Sequence, residues 1–138
     1  MNQAALDRIN DLNVKLYADG ADFASMVEMA KRNAESNQLK NCEFYQSDLN
    51  ASWQDQTWAN NSFNKVVLDP ARAGALEAVQ QLPALYAQTV LYVSCDPATL
   101  ARDAKALVEH GYKLKKIMLM DMFSQTKHIE TMVLFSLS

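Results

Sequence analysis

Three chemically capable residues, Asp69, Cys95 and Glu130, stand next to apolar runs in this chain, where nucleophilic and acid–base chemistry can be displayed. Cys95 follows Val90-Leu91-Tyr92-Val93-Ser94 and precedes Asp96-Pro97, where a helical pattern begins. Asp69 ends Val66-Val67-Leu68 and is followed by Pro70-Ala71-Arg72-Ala73-Gly74. Glu130 closes the polar stretch that starts at Asp121 and stands two residues after His128, so in extended geometry the two share a side. Open α/β sheets keep their chemistry at the carboxyl ends of strands. A thiol, an acid and a candidate base are therefore expected on one rim.

Each residue also has a plainer explanation. Free cysteine is among the most buried residue types, but a cysteine after a strand and before Asp-Pro sits at a helix start, whose amides favour the thiolate. Asp69 is expected to face the crevice, although aspartate also serves as a helix cap or turn former. Arg72 suits phosphate or carboxylate through its planar fork and equally suits a solvated surface. A lone His-x-Glu is weak, and a solvated turn explains it as well. Cys42 has no polar company and is expected in the core. Trp53 and Trp58 are expected either to stack on a base or to anchor a loop.

The elements that must position these groups alternate as in a parallel sheet covered by helices. Strands are expected at 14–18, 42–45, 65–68 and 90–93, with 114–120 and 132–137 forming an antiparallel pair at one edge. A helix after Asp19-Gly20 buries Phe23, Met26, Val27, Ala30 and Ala34. A second covers 75 to about 82, where Pro83 interrupts it. A third presents Leu100, Ala104, Leu107 and Val108 on one face and stops at Gly111. Residues 50–64 read as a polar surface excursion.

The chain has 138 residues, 49% of them hydrophobic, which is one domain's worth of core and argues against disorder. A formal charge of -3 gives no field able to hold a polyanion alone, so RNA binding would need local contacts or a region outside this chain. Two cysteines, Cys42 and Cys95, without Cys-x-x-Cys spacing suggest neither a disulfide framework nor a zinc site. No apolar run approaches the ~20 residues that span a bilayer, and residues 1–8 have no signal-peptide core. A soluble cytoplasmic protein, with no metal and no membrane partner, is the expectation. Only Gly20, Gly74 and Gly111 are present, so no Gly-x-Gly loop exists to approach a nucleotide or a methionine-derived cofactor.

Together these segments resemble the RNA uracil-5-methyltransferases that use S-adenosylmethionine, most closely the 23S ribosomal RNA branch. That family carries Asp-Pro-Pro/Ala-Arg-x-Gly, then Tyr-x-Ser-Cys-Asn-x-x-Thr, then Asp-x-Phe-Pro-x-Thr-x-His-x-Glu. This chain has Asp69-Pro70-Ala71-Arg72-Ala73-Gly74, then Tyr92-Val93-Ser94-Cys95-Asp96-Pro97-Ala98-Thr99, then Asp121-Met122-Phe123-Ser124-Gln125-Thr126-Lys127-His128-Ile129-Glu130. The resemblance covers about Met26 to the C-terminus, and the Asp-Pro-Ala-Arg-Ala-Gly form with Ala98-Thr99-Leu100-Ala101-Arg102-Asp103 favours the ribosomal over the transfer-RNA branch.

The resemblance implies a Rossmann-like α/β fold. It implies that Cys95 attacks C6 of the target uracil, that C5 then takes the sulfonium methyl, and that Glu130 removes the C5 proton. It implies that Asp69 lines the pocket where cofactor and base meet, that Asp48 contacts the adenine end, and that Asp19 binds the ribose hydroxyls. Three departures stand out: Asp96 for asparagine, which sets a negative charge beside the sulfur, Ser124 for proline, and the absent glycine-rich loop. The expected fold is therefore incomplete, lacking its first strand, and 1–138 is expected as a single C-terminal catalytic domain fragment with 1–22 atypical. Exchange of strands in a homodimer is one way to complete the sheet. The competing expectations are a non-catalytic remnant or interaction module, transfer-RNA methylation, and an exocyclic amino N-methyltransferase, which Arg72 disfavours by standing where an aromatic is needed.

Overall fold

The computed structural model describes residues 14–18, 23–60, 62–121 and 129–138, with side chains described from residue 27 onward. The chain divides into two compact units, Met1–Asp48 and Leu49–Ser138.

In the first unit, strand β1 (Val14–Ala18) pairs in parallel with β2 (Cys42–Gln46), Val14 opposite Cys42 and Ala18 opposite Gln46. Helix α1 (Phe23–Ser36) is the crossover that a parallel pair requires. Ala34 is buried on it, with Val27 and Ala30 half-buried, in line with the expected apolar spacing. Cys42 departs from expectation: it is half-buried rather than in the core, because it lines a shallow pocket with Ala34, Leu39 and Phe44.

The second unit is built on a sheet of four strands in the order β3-β4-β6-β5. Strand β3 (Lys65–Leu68) runs parallel to β4 (Thr89–Ser94), with Leu68 opposite Tyr92. The closing pair is antiparallel, as expected: β6 (Glu130–Ser136) lies between β4 and the edge strand β5 (Lys113–Met120). Among the described residues β3 has no partner on its outer side and the strands form two sheets.

One face of this sheet carries the core. Val90, Tyr92 and Ser94 on β4 and Val133 and Phe135 on β6 alternate inward, as a strand's period of two demands. Helix α2 (Leu76–Gln81) runs into a one-turn 3-10 helix, Leu82–Leu85, at Pro83, and together they bury Ala78, Val79, Leu82 and Leu85. Helix α3 (Pro97–Glu109) buries Asp103, Ala106 and Leu107. Its expected face is rotated: Val108 is 53% exposed, and the middle of the buried stripe is a carboxylate. Gly111 ends α3 at φ +96, the left-handed stop expected of it.

The polar excursion 50–64 is anchored from inside. Trp53 and Trp58 are 6% and 3% exposed and meet edge to face, with ring centroids 5.2 Å apart. Gln81 of α2 ties the loop down, its Oε1 accepting from Trp53 N at 2.8 Å and its Nε2 donating to Ala51 O at 3.0 Å. The tryptophans are thus loop anchors. Truncating a buried Trp costs about 3–5 kcal/mol; Trp58→Ala should lower the unfolding free energy obtained from urea denaturation by that order, whereas a change within about 0.5 kcal/mol would contradict the anchor.

Candidate active site

Cys95 occupies a bend between β4 and α3, and the residues on either side fix it. The Ser94 hydroxyl donates to Asp96 O at 2.9 Å and accepts from Asp96 N at 3.0 Å, closing a small ring with Cys95 at its apex. Asp96 is the N-cap of α3, its Oδ1 accepting from Ala98 N at 2.9 Å and Thr99 N at 3.4 Å, and Pro97 opens the helix. The substitution of Asp96 for asparagine is thereby explained: both are strong N-caps, and the extra charge is engaged by amides at a helix start. Cys95 itself is a free, half-buried thiol.

The sheet register places the other two residues at the same end. Ser94 is opposite Thr131, so Cys95 just past β4 and Glu130 at the start of β6 close one end of neighbouring strands. Leu68 is opposite Tyr92, so Asp69 leaves β3 beside the last residues of β4. Asp69 is exposed and Glu130 half-buried. Asp48 is exposed and belongs to the other unit, while Asp19 and His128 lie outside the described residues, as does Ser124.

Pattern reading missed a buried acid tied to the loop after β3 and to β4. Asp103 is 0% exposed, yet it is a carboxylate in the middle of the buried stripe of α3. Its Oδ2 accepts from Ala75 N at 2.7 Å and from the Tyr92 hydroxyl, and its Oδ1 accepts from Arg102 Nε at 2.9 Å. Burying a carboxylate is tolerable only when its lone pairs are filled in this way. Neighbouring side chains of α3 hold the same loop: Thr99 Oγ1 donates to Arg72 O at 2.8 Å and Arg102 Nη2 to Ala73 O at 2.8 Å. Gly74 sits at φ +78 against this cluster; a Cβ there would stand 2.6 Å from Asp103 Oδ2 and 2.7 Å from Arg102 Nη2. The only advance signal was an aspartate three residues before Ala106 and four before Leu107 on an otherwise apolar face.

Two tests follow from this cluster. Gly74→Ala should destabilise the chain more than Gly111→Ala, because both positions have positive φ but a Cβ at Gly111 meets nothing nearer than 3.9 Å. The strain alone is on the order of 1 kcal/mol, and equal losses in urea denaturation would contradict the packing. The second test is alkaline. Burial first, and then the hydrogen bond to Asp103, pushes the Tyr92 phenol above its ordinary range, and burial raises Tyr112 as well. Unfolded tyrosine ionises near about pH 10, so this contribution to stability is fully present below that pH and falls as pH rises above it. Tyr92→Phe should make the loss of stability above about pH 10 shallower; an unchanged slope would contradict the assignment.

S-adenosylmethionine, implied by the sequence resemblance, meets these residues in part. Asp69 is an exposed acceptor on the rim and suits a hydroxyl- or ammonium-bearing ligand. Gly74 is no cradle for it, because the space a ligand backbone contact would need is filled by Asp103 and Arg102. Among the described residues no cluster of three or more His, Cys, Asp or Glu is placed to hold a metal ion, and no helix is long and apolar enough to cross a membrane.

The fold is similar to that of several solved methyltransferases. A precorrin-6y C5,15-methyltransferase from Geobacter metallireducens superposes with a TM-score of 0.66 at 9% identity, covering 96% of this chain and 72% of that one. A ribosomal protein L11 methylase from Lactobacillus delbrueckii subsp. bulgaricus gives 0.60 at 17% identity, covering 88% and 56%. At these identities the likeness is one of fold. Sequence goes further: the family described as tRNA (Uracil-5-)-methyltransferase matches residues 20–137, and the chain belongs to that family. It is 60% identical over 113 residues to the 23S rRNA (uracil(1939)-C(5))-methyltransferase RlmD of Colwellia psychrerythraea, covering 81% of this chain and 24% of that protein. The chain spans about a quarter of the length of the curated relatives it matches.

Proposed function

We propose that this chain supplies the uracil-binding and catalytic part of an enzyme that methylates C5 of a uridine in 23S ribosomal RNA. The observation that carries the reading is the placement of Cys95 and Glu130 at one end of neighbouring strands, with the thiol held at the apex of a bend on both sides. The ribosomal substrate is favoured by the Asp-Pro-Ala-Arg-Ala-Gly form of the β3 loop and by what the relatives' names state of them.

Ring carbon C5 of uracil is a poor nucleophile, and a covalent step is the way to activate it. The Cys95 thiol loses its proton to solvent water, a loss favoured at the start of a helix, and the thiolate bonds to C6; the C5–C6 π electrons move onto the C4 carbonyl oxygen, leaving an enolate whose nucleophilic carbon is C5. S-adenosylmethionine, when bound, supplies an electrophilic methyl group, and Asp69 is the residue of this unit that would contact it. With C5 substituted, Glu130 accepts the C5 proton. The electrons of that C–H bond restore the C5–C6 double bond, the S–C6 bond breaks with its pair returning to sulfur, and the ring regains its conjugation. His128 is not needed in this sequence of steps. Cytoplasmic location and RNA as partner follow from the same reading.

The test places residues 20–137 into the Colwellia psychrerythraea relative in place of its matching segment. This chimera should methylate C5 in a 23S ribosomal RNA fragment but not in a transfer-RNA transcript, and should form a denaturant-stable adduct with 5-fluorouridine-containing RNA. Cys95→Ala should abolish the adduct and lower turnover by at least about a thousandfold. Glu130→Gln should lower turnover by about 10²–10⁴-fold while an adduct with ordinary uridine accumulates. An adduct that survives Cys95→Ala would overturn the assignment in favour of a fold remnant without catalytic function of its own.

A further inference from the structure

The rim depends on a group that neither attacks nor accepts a proton in the steps above. We propose that Asp103 is a positioning residue: with Arg102 and Thr99 it clamps the segment Asp69–Ala75 onto α3, and so fixes Asp69 relative to Cys95. The inference rests on the function proposed above and adds to it the part that aligns the methyl-donor side of the site with the thiol.

The segment is pinned at both ends. At its start, Leu68 is buried and in register with Tyr92. At its end, three backbone groups within four residues are captured by three residues of one helix: Arg72 O by Thr99 Oγ1, Ala73 O by Arg102 Nη2, and Ala75 N by Asp103 Oδ2. Between them Gly74 N donates to Ala71 O at 2.9 Å, closing a tight turn. The same helix begins at the Asp96 cap that follows Cys95. Tyr92, whose hydroxyl donates to Asp103, stands three residues before Cys95 on β4. One carboxylate therefore ties the strand that carries the thiol to the loop that carries Asp69.

The donor set explains why the residue is an aspartate. An amide N–H, a phenol O–H and a guanidinium N–H converge, which calls for a group that only accepts. Asparagine in the same pose can accept from two of them and must turn its own N–H toward the third. Stability alone does not call for such a group, because a buried ion pair is often replaced by apolar side chains of similar volume without loss. What the charge provides is strong, directional hydrogen bonding, and the backbone of Gly74 approaches so closely that a Cβ there would have to displace Asp103 or Arg102.

Two measurements test this. In the 138-residue chain, amide exchange at Ala75 should speed up by about tenfold or more in Asp103→Asn relative to Val133 in the core, and further in Asp103→Ala. In the chimera, Asp103→Asn should raise KM for S-adenosylmethionine about tenfold or more while kcat stays within about threefold, a split that general destabilisation would not produce. Thr99→Val, which loses the Arg72 bond and leaves the hydrogen bonds of Asp103 in place, should shift KM the same way by a smaller factor and serves if Asp103→Ala fails to fold. An unchanged Ala75 exchange rate in Asp103→Asn, or a fall in kcat with KM unaltered, would overturn the clamp. Failure of the unsubstituted chimera to trap 5-fluorouridine RNA would instead overturn the function, leaving the exchange measurement to decide the clamp by itself.

Discussion

A carboxylate that leaves water must find its hydrogen bonds inside the protein, and that requirement organises the larger unit of this chain. Asp103 is fully buried, and it is satisfied by donors from β4, from the segment after β3 and from its own helix neighbour. These segments cannot drift apart without leaving an unpaired charge in the core, which costs several kcal/mol. The Asp69 segment, the thiol bend and helix α3 are therefore joined through one node rather than by loop packing. Gly74 is the complement of that node: its missing Cβ is what lets the backbone close on Asp103 and Arg102.

Strand order does the rest. Parallel pairing of β3 with β4 puts their carboxyl ends on one side, and antiparallel pairing of β6 with β4 brings the start of β6 to that side as well. Glu130 reaches this rim from the amino end of a strand, whereas Asp69 and Cys95 reach it from carboxyl ends. A site assembled from strand termini is rigid in its backbone, because each residue is one step from a hydrogen-bonded ladder, while its side chains remain at the opening of the sheet. The outer side of β3 carries no strand among the described residues, and the sheet face opposite α3 keeps Val67 65% and Met118 47% exposed.

Much of this was legible in the sequence because it follows from local rules. The bend at Cys95 follows from Ser94, Asp96 and Pro97, whose roles as turn former, cap and first helical residue are set within four positions. The six strands and the order of the motifs follow from apolar runs broken by polar clusters, and Gly111 marks the end of α3 as its left-handed preference dictates. What escaped was non-local. Asp103 reads as a polar interruption of a helix face until Tyr92 and Ala75, 11 and 28 residues away in sequence, are brought to it. Placing the buried face of α3 on Val108 failed for the same reason, since apolarity was taken as the guide to the inside and the inside held a paired charge. For Trp53 and Trp58 the sequence left base stacking and loop anchoring both open, and the anchor that the structure shows depends on their contact with each other and on Gln81 of α2.

The central claim is that one pyrimidine is served by Cys95 and Glu130 together. Its most direct test is a crystal structure of the chimera trapped on 5-fluorouridine-containing RNA. The account predicts continuous density from the Cys95 sulfur to C6 of the modified ring, with the Glu130 carboxylate on the C5 side within hydrogen-bonding reach. A ring bonded to any other residue, or Glu130 turned away on the far side of β6, would contradict it.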